Sequence, residues 1–471
     1  MKLDDPALAK VPAIVPMHAP VSDTPAVLLA PRRIAIVSDH ASPLAAPGSI
    51  DCGGQNVYVA QLARELALAG HQVDVFTRRD AVKQKQLVQW HDGVRVINVP
   101  AGPAHHVPKE QMLPHIEAFS RFVTRFASRD ARQRAAPYDI VHANFFMSGM
   151  VAQHLKQTLG IPFVITFHAL GKVRRLAQGA ADAFPPSRVR IESALMQQAD
   201  RIVAECPQDR QDMERLYGAS PERIAVAPCG FDPGELWPMD RAAARSQLGL
   251  ERTRFTVLQL GRIVPRKGVD TVIEAIALLR TRHGIGARLL VVGGDLHAGG
   301  RDGPELARLQ ALAGRLGVAA DVQFVGQQPR DALRHYYGAA DVFVTTPWYE
   351  PFGITPVEAM ACARPVIGSE VGGIKSTVVD GSTGFLVPSR DPQAVAGRLA
   401  TLQRNPGLAR AMGEAGLRRA GLHYTWRNVA RQVAAVYAAV LAEASSDADT
   451  NAASTADPAA SAPASIHMTH P

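Results

Sequence analysis

The chain is poor in cysteine and lysine, and it has no long uninterrupted apolar run. Its four cysteines are scattered and lack any Cys-x-x-Cys or Cys/His ligand spacing, so reduced thiols fit better than a disulfide framework. No apolar stretch reaches the ~18 residues that a membrane-spanning helix needs. The N-terminal segment "MKLDDPALAKVPAIVP" lacks the apolar centre of a signal peptide. We therefore expect a cytoplasmic protein.

Motifs of several other protein classes are missing as well. Neither a G-x-G-x-x-G fingerprint nor a P-loop occurs, which argues against a dinucleotide-dependent oxidoreductase. The net charge of +8 comes without any run of five or more like charges. Such a distribution favours a diffusely basic surface over a nucleic-acid-binding face, so we expect no nucleic-acid partner.

Short apolar strands alternate with amphipathic segments along most of the chain. The alternation stops at "FDPGELWPMD" and restarts at "FTVLQLGR". This pattern predicts an α/β fold with two Rossmann-like, doubly wound domains that face a central cleft. The predicted division is a flexible arm (1–31), a first domain (32–230), a linker (231–250), a second domain (251–424), a helix that crosses back to the first domain (425–444) and a disordered tail (445–471).

Two glutamates eight positions apart bracket a predicted helix start in "WYEPFGITPVEAM". Thr355 fits the N-cap and Pro356 the first helical position, so Glu358 would complete a capping box. Glu350 has no such structural role, and it lies in a loop after a predicted strand, where α/β proteins bind ligands. For Glu358, the helix cap and a ligand contact both remain open interpretations.

Cations and glycine pairs occur at other predicted strand-to-helix turns. Arg262 and Lys267 in "GRIVPRKG" suit phosphate oxygens, although a solvated basic turn is the alternative. His168 ends a predicted strand, where a buried core histidine is the alternative. The pairs Gly53–Gly54 and Gly372–Gly373 would let a ligand approach the backbone closely. Together these turns describe a cleft for a diphosphate joined to a polyhydroxyl group.

Five motifs in this order resemble those of the retaining nucleotide-sugar glycosyltransferases of family four, which have the GT-B fold. They are "DCGGQNVYV", "FHALGK", "GRIVPRKG", "EPFGITPVEAM" and "VGGIKSTVVDGSTGFLV". The likeness runs from residue 32 to residue 440, and "EPFGITPVE" matches the E-x7-E signature of that family. "GGQNVYV" is most similar to the branch of sucrose-phosphate synthases and inositol-phosphate N-acetylglucosaminyltransferases. Lys375 and Ser376 depart from the Pro-Glu pair of many relatives.

The resemblance implies a role for each motif. Arg262 and Lys267 would hold the donor diphosphate, and Glu358 would bind the ribose hydroxyls. Glu350 would lie near the transferred sugar, and His168 would meet the sugar's 6-hydroxyl. The implied catalytic residues are His168, Glu350, Arg262 and Lys267. The implied donor-binding residues are Gly53, Gly54, Arg262, Lys267, Gly326, Glu350, Phe352, Gly353, Ile354, Thr355, Glu358, Gly372 and Gly373, and the implied acceptor-binding residues are Gln55, Asn56 and Lys172.

The resemblance also implies a reaction. We expect transfer of a hexosyl group, with retention, from a nucleotide-diphosphate sugar (UDP-glucose first) to a hydroxyl acceptor such as a sugar phosphate or an inositol phosphate. The first domain would bind the acceptor and the second domain the donor. Two alternatives stay open: an enzyme docked at the inner membrane surface that acts on a lipid-linked or polysaccharide precursor, and a non-catalytic nucleotide-sugar-binding protein. Same-face attack and a covalent intermediate are both compatible with the sequence.

We predict that turnover needs neither a metal ion nor a cofactor. Negative charge grows on the diphosphate as the sugar–phosphate bond breaks, and fixed cations such as Arg262 and Lys267 stabilise that charge in place of a divalent ion. Turnover should therefore be unchanged in excess EDTA. A loss of activity that only Mg²⁺ or Mn²⁺ restores would contradict this prediction.

Overall fold

The computed structural model of the chain describes residues 30–45, 53–296 and 303–455. Most of the predicted arm, residues 1–29, and the last part of the predicted tail, residues 456–471, lie outside the described residues.

Eight strands of the described chain form the sheet of the first domain, in the order β3-β4-β2-β1-β5-β6-β7-β8. All neighbours pair in parallel except β3 and β4. The strands are β1 Arg33–Val37, β2 Gln72–Arg78, β3 Leu87–His91, β4 Val94–Val99, β5 Ile140–Asn144, β6 Phe163–Thr166, β7 Arg201–Ala204 and β8 Ile224–Val226. The helices are α1 Gly54–Leu68, α2 Ile116–Arg134, α3 Phe146–Leu159, α4 Gly171–Gln178, α5 Ser187–Gln198 and α6 Pro207–Tyr217.

The second domain contains a six-stranded parallel sheet within the described residues, in the order β11-β10-β9-β12-β13-β14. Its strands are β9 Phe255–Leu260, β10 Ala287–Val292, β11 Val322–Gly326, β12 Val342–Thr345, β13 Val366–Ser369 and β14 Gly384–Val387. Its helices are α7 Arg241–Gln247, α8 Val269–His283, α9 Gly303–Arg315, α10 Arg330–Ala339, α11 Ile354–Ala361, α12 Ile374–Thr377, α13 Pro392–Arg404 and α14 Pro406–His423. The last helix, α15, is Trp426–Thr455. The predicted α/β class with two parallel sheets is confirmed.

Each sheet reverses its strand order at one place. In the first sheet the chain winds outward from β1 on one side and resumes at β5 on the other; in the second sheet the same happens at β9 and β12. Ligands of open α/β sheets bind beyond the carboxyl ends of the strands at such switch points. The loops after β1, β5, β9 and β12 are therefore where a ligand site is expected, and they carry most of the predicted site residues.

The chain crosses between the domains twice at the same place. The backbone N–H of Phe231 donates to the carbonyl of Tyr424 (2.8 Å), and the N–H of Trp426 donates to the carbonyl of Phe231 (3.1 Å). Helix α15 then packs on the first domain, where the Tyr437 hydroxyl lies 2.6 Å from Nδ1 of His142. Burial lowers the pKa of His142 to about 3, so this histidine is neutral inside the interface.

Three elements differ from the sequence prediction. Strand β3 was missed, because it is a short edge strand whose residues alternate between exposed and half-buried rather than forming a buried run. The predicted linker is shorter, since α7 folds onto the second domain: Asp240 caps α7, and the guanidinium of buried Arg245 binds Asp341 (2.6 Å). Helix α15 continues to Thr455, past the predicted start of the tail at residue 445, through a stretch that contains neither proline nor glycine, the two residues that most disfavour a helix.

Candidate functional site

An ion pair joins the two switch-point loops of the second domain. Lys267 follows β9, Glu350 follows β12, and the ammonium of Lys267 donates to the carboxylate of Glu350. Both side chains are largely buried, with 21% and 13% exposed. Nη1 of Arg266 lies 3.8 Å from the same carboxylate oxygen. The site thus holds a cluster of positive charge around one buried acid.

The charges of this cluster shift each other's titration. Burial lowers the pKa of Lys267, and the charge of Glu350 offsets part of that effect. Burial also favours a raised pKa for Glu350, but Lys267, Arg266 and Arg262 outweigh it, so the pKa of Glu350 lies below its ordinary value. Glu350 is therefore a carboxylate at neutral pH, and the cluster keeps an excess of positive charge for an anionic ligand.

The structure excludes the capping interpretation of Glu358. Helix α11 begins at Ile354 after Gly353, whose φ of 91° is left-handed, and Thr355 lies inside the helix rather than at its N-cap. The carboxylate of Glu358 instead accepts from Nη1 of Arg330 (3.1 Å) and from the hydroxyl of Tyr337 (2.9 Å). Both partners lie on α10, and the Glu358 side chain is only 3% exposed.

The second glycine pair packs against the Glu350 loop. Gly372 has a φ of 47°, and a β-carbon there would overlap the carbonyl oxygen of Glu350; one at Gly373 would overlap the backbone of Phe352. The N–H of Gly373 donates to the carbonyls of Glu350 and Pro351 at 3.2 Å each. From the sequence we expected a ligand to lie close to the backbone at this glycine pair. In the structure it is a backbone-to-backbone contact that fixes the loop carrying Glu350.

The start of α1 faces the start of α11 across the cleft. A β-carbon at Gly54 would lie 3.4 Å from the side chain of Ile354. Gly53 is the N-cap of α1, and its N–H donates to Asn56, whose side-chain amide also donates to the carbonyl of Ser42 (3.0 Å each). Asn56 therefore holds the β1 loop against the helix. Two helix N-termini pointing at one space favour an anion there.

His168 occupies a strained turn at the end of β6. Its φ is 57°, and the N–H of Ala169 donates to the carbonyl of Phe167 (2.7 Å), which closes a three-residue γ-turn. Nδ1 of His168 lies 2.8 Å from Glu205, and Nε2 lies 2.9 Å from Oδ1 of Asn144. A non-glycine residue held in this conformation at a strand end indicates a functional constraint.

Asn144 connects two of the predicted site residues. Its carbonyl accepts from the side-chain amide of Gln55 (3.2 Å), while its own side chain faces His168. Gln55 also donates to the hydroxyl of Ser38 (3.2 Å). Gln55 and His168 are therefore joined through Asn144 at the switch point of the first sheet, between the loops after β1 and β5.

Other predicted residues lie apart from this cluster. The ammonium of Lys172 donates to the carbonyl of Leu216 and lies over the ring of Tyr217 (4.8 Å), within the first domain. The ring of Phe352 is buried near Tyr424 (6.1 Å), so this side chain is not available to a ligand. Gly326 ends β11 with a φ of 78°. The binding roles of Lys172, Phe352 and Gly326 stay predictions.

The two domains enclose a cavity of about 260 Å³ beside Glu350. Its walls include Asp209 and Asp212 of the first domain and Trp348 and Lys375 of the second. Burial, together with the nearby charge of Glu205, raises the pKa of Asp209 to about 8. Contacts between the domains close its edges, including Gln178 with Tyr349 and the Cys206 thiol with the carbonyl of Pro351 (3.3 Å).

Several site residues were missed by the sequence analysis. Arg266 belongs to the "GRIVPRKG" motif, so its position beside Lys267 could have identified it as a third cation of the site. Arg330 and Tyr337 lie on a helix without motif character, and Glu205 with Asn144 ends ordinary buried strands. Their partners are 21 to 37 positions away in sequence, and no spacing rule connects them.

Two facing Rossmann-like domains, with a cationic cluster and two helix starts at their switch points, define the GT-B class of glycosyltransferases. Comparison with known proteins agrees. Residues 53–230 match the family described as "Glycosyl transferase 4-like domain", and residues 240–419 match "Glycosyl transferases group 1". The chain belongs to the group 1 glycosyltransferases of the GT-B fold, and it is a nucleotide-sugar glycosyltransferase.

Individual relatives carry more specific names. The chain is 39% identical over 410 residues to the D-inositol 3-phosphate glycosyltransferase of Acidothermus cellulolyticus, covering 86% of this chain and 89% of that protein. It is 37% identical over 386 residues to the enzyme of the same name from Actinosynnema mirum, covering 81% and 91%. The solved sucrose-phosphate synthase of Thermosynechococcus elongatus superposes with a TM-score of 0.80 at 32% identity, covering 88% of this chain and 100% of that one.

Among the helices in the described part of the chain, none has both the length and the apolar character that a transmembrane span requires.

We predict that Gly372→Ala destabilises the protein far more than Gly381→Ala. Both glycines have a left-handed φ, 47° and 73°, but a β-carbon at Gly381 has no atom within 4 Å. Gly381→Ala should cost only the backbone strain of about 1–2 kcal/mol. Gly372→Ala adds the overlap with the Glu350 carbonyl and should cost about 3 kcal/mol or more. Urea unfolding of both variants measures the difference in the free energy of unfolding. Equal losses would contradict the prediction and show that the loop carrying Glu350 moves aside to accommodate the β-carbon.

Proposed function

We propose that this enzyme transfers a glucosyl group, with retention and without a metal ion, from UDP-glucose to a hydroxyl of a phosphorylated polyol. The observation that carries the proposal is the cluster of Lys267, Arg266 and Glu350 at the switch point of the second sheet, opposite the start of α1. It combines cations for a diphosphate with one carboxylate for the sugar.

Lys267 suits the leaving diphosphate. An ammonium has three N–H donors, and one of them reaches Glu350, which leaves two for phosphate oxygens. As the bond to the sugar breaks, charge accumulates on the diphosphate, and a fixed cation in a water-poor site stabilises that state more than the ground state. Arg266, and Arg262 earlier in the same loop, add to this field.

Glu350 suits the other half of the reaction. The sugar ring gains positive character as the diphosphate leaves, and a carboxylate that stays ionised at neutral pH stabilises it. The depressed pKa of Glu350 keeps that charge in place. The γ-turn at His168 would present this residue to the sugar from the first domain, with its ring fixed by Glu205 and Asn144.

The names of the relatives support a phosphorylated acceptor. One similar protein is named for inositol 3-phosphate and another for sucrose phosphate. Both names describe a polyol that carries a phosphate group. An inositol phosphate is our first choice because that relative shows the higher sequence identity, and a ketohexose phosphate is the second.

A donor-by-acceptor panel tests the proposal. UDP-glucose, UDP-N-acetylglucosamine, ADP-glucose and GDP-mannose are each combined with inositol 3-phosphate, fructose 6-phosphate and the unphosphorylated polyols, and the products are analysed by mass spectrometry and NMR. We expect an α-linked product from a phosphorylated acceptor. Hydrolysis of the donor with every acceptor, without transfer, would contradict the proposal and indicate a nucleotide-sugar hydrolase. Binding of a donor without any turnover would indicate a non-catalytic binding protein.

We predict that Lys267→Met lowers kcat more than it weakens donor binding. A hydrogen bond to a charged group contributes about 1.5–3 kcal/mol, so the loss in kcat should be about 10- to 100-fold. Lys267→Arg should rescue part of it, because the planar guanidinium has a different reach. Lys156→Met is the matched control, since Lys156 also forms an ion pair, with Asp200 (2.7 Å), on the first domain. Near-normal turnover of Lys267→Met would place the diphosphate elsewhere.

A further inference from the structure

A chain of three charged side chains joins the linker between the domains to Glu358. Nε of Arg330 donates to Glu235, which follows the interdomain crossing at Phe231, and Nη1 of Arg330 donates to Glu358 (3.1 Å). The side chains become less exposed along this chain, from 32% for Glu235 through 20% for Arg330 to 3% for Glu358. The buried carboxylate therefore receives its counter-charge from a residue that the linker also holds.

The hydrogen bonds at Glu358 use half of its capacity. A carboxylate offers about four acceptor positions, two on each oxygen. Arg330 occupies one position on Oε1, and Tyr337 occupies one on Oε2. One acceptor position then remains on each oxygen, side by side. That arrangement matches two adjacent hydroxyl donors, as in the cis-diol of a ribose.

One nitrogen of the Arg330 guanidinium makes no hydrogen bond within the described residues. Its Nη2 is buried and has no hydrogen-bond partner among the described residues. Buried donors without partners are rare in folded proteins and call for an explanation. A guanidinium that donates from Nε to Glu235 and from Nη1 to Glu358 has its orientation fixed, so the positions of the two N–H groups on Nη2 are fixed as well.

We propose that Arg330 is a positioning residue for the nucleotide, which orients the Glu358 carboxylate toward the ribose diol and couples it to the interdomain linker through Glu235. The inference rests on the proposed function and on the role that the family resemblance implies for Glu358, which is binding of the ribose hydroxyls of the donor. Removing Arg330 would leave Glu358 as a buried carboxylate without a counter-charge, and such a group is costly. The linker contact makes the same guanidinium sensitive to the position of the first domain.

The experiment measures nucleotide affinity by calorimetry on the full-length chain. The probe is whichever of UDP, ADP and GDP binds the wild-type protein most tightly, together with its 2′-deoxy form. Arg330→Met should weaken binding of the ribonucleotide at least ~10-fold, the loss expected for a hydrogen bond to a charged group. It should also reduce the preference for the ribo form over the deoxy form. A general loss of packing would weaken both nucleotides equally.

Arg330→Lys keeps the charge and should restore part of the affinity. The Arg330→Lys variant also serves if Arg330→Met does not fold. A folded Arg330→Lys protein with wild-type affinity and wild-type ribose preference would show that simultaneous hydrogen bonds from the guanidinium to Glu235 and Glu358 are unnecessary. Glu358→Gln tests the ribose contact itself. If Glu358→Gln binds the nucleotide normally, the assignment of Glu358 to the ribose fails, while the glucosyl transfer proposed above is tested separately by the donor-by-acceptor panel. If Glu358→Gln binds weakly while Arg330→Met binds normally, only the role of Arg330 fails.

The linker contact is tested by a double-mutant cycle. Glu235→Gln should weaken nucleotide binding about 3-fold in the wild-type background and have no effect in the Arg330→Met background, since coupled neighbours show such non-additivity. Asp232→Asn is the matched control, because Asp232 is another acidic linker residue but pairs with Arg64 of the first domain (2.9 Å). Additive effects of Glu235 and Arg330, an equal effect of Asp232→Asn, or tighter binding by Arg330→Met would each overturn the proposal.

Discussion

The site depends on the contact between two backbone segments of the second domain. Gly372 and Gly373 lie so close to the Glu350–Phe352 backbone that side chains have no room there. This contact sets the loop that carries Glu350, and the loop in turn sets the distance to Lys267 after β9 and the direction in which α11 begins. The same short loop also accepts a hydrogen bond from Cys206 of the first domain through the carbonyl of Pro351. The position of the Glu350 charge, the start of α11 and this contact between the domains therefore all depend on one packing constraint.

Each domain contributes one fixed arrangement to the shared cleft. The second domain holds a carboxylate among cations, and the first holds an imidazole between Glu205 and Asn144. Both are built at strand ends beside a switch point, where backbone groups and side chains from neighbouring loops converge. The side chains of both arrangements are held by hydrogen bonds within the protein, and polar groups that are held in place in this way need little reorganisation during a reaction.

Sequence analysis predicted the sheet class and most strands because buried parallel strands are continuous apolar runs, and their ends carried the motifs. It misplaced the start of α11 by two residues, since the helix begins at Ile354 after Gly353, whose left-handed conformation replaces the expected side-chain cap at Thr355. The sequence also led us to expect that a ligand would approach the backbone at Gly372 and Gly373, where the structure has the backbone of Glu350 and Phe352. The partners of Glu358 and His168 could not be predicted, because Arg330, Tyr337, Glu205 and Asn144 meet them through the tertiary fold rather than through a local repeat.

The return of α15 to the first domain has a consequence for folding during synthesis. Trp426 packs on Tyr58 (ring centroids 5.8 Å apart), and Tyr437 binds His142, so the core of the first domain is completed by the last helix. A ribosome that has finished β8 must still translate the whole second domain before these residues emerge. Until then the surface around Tyr58 stays uncovered. The first domain therefore lacks part of its core packing while the second domain is being synthesised, and apolar surface exposed in this way favours aggregation.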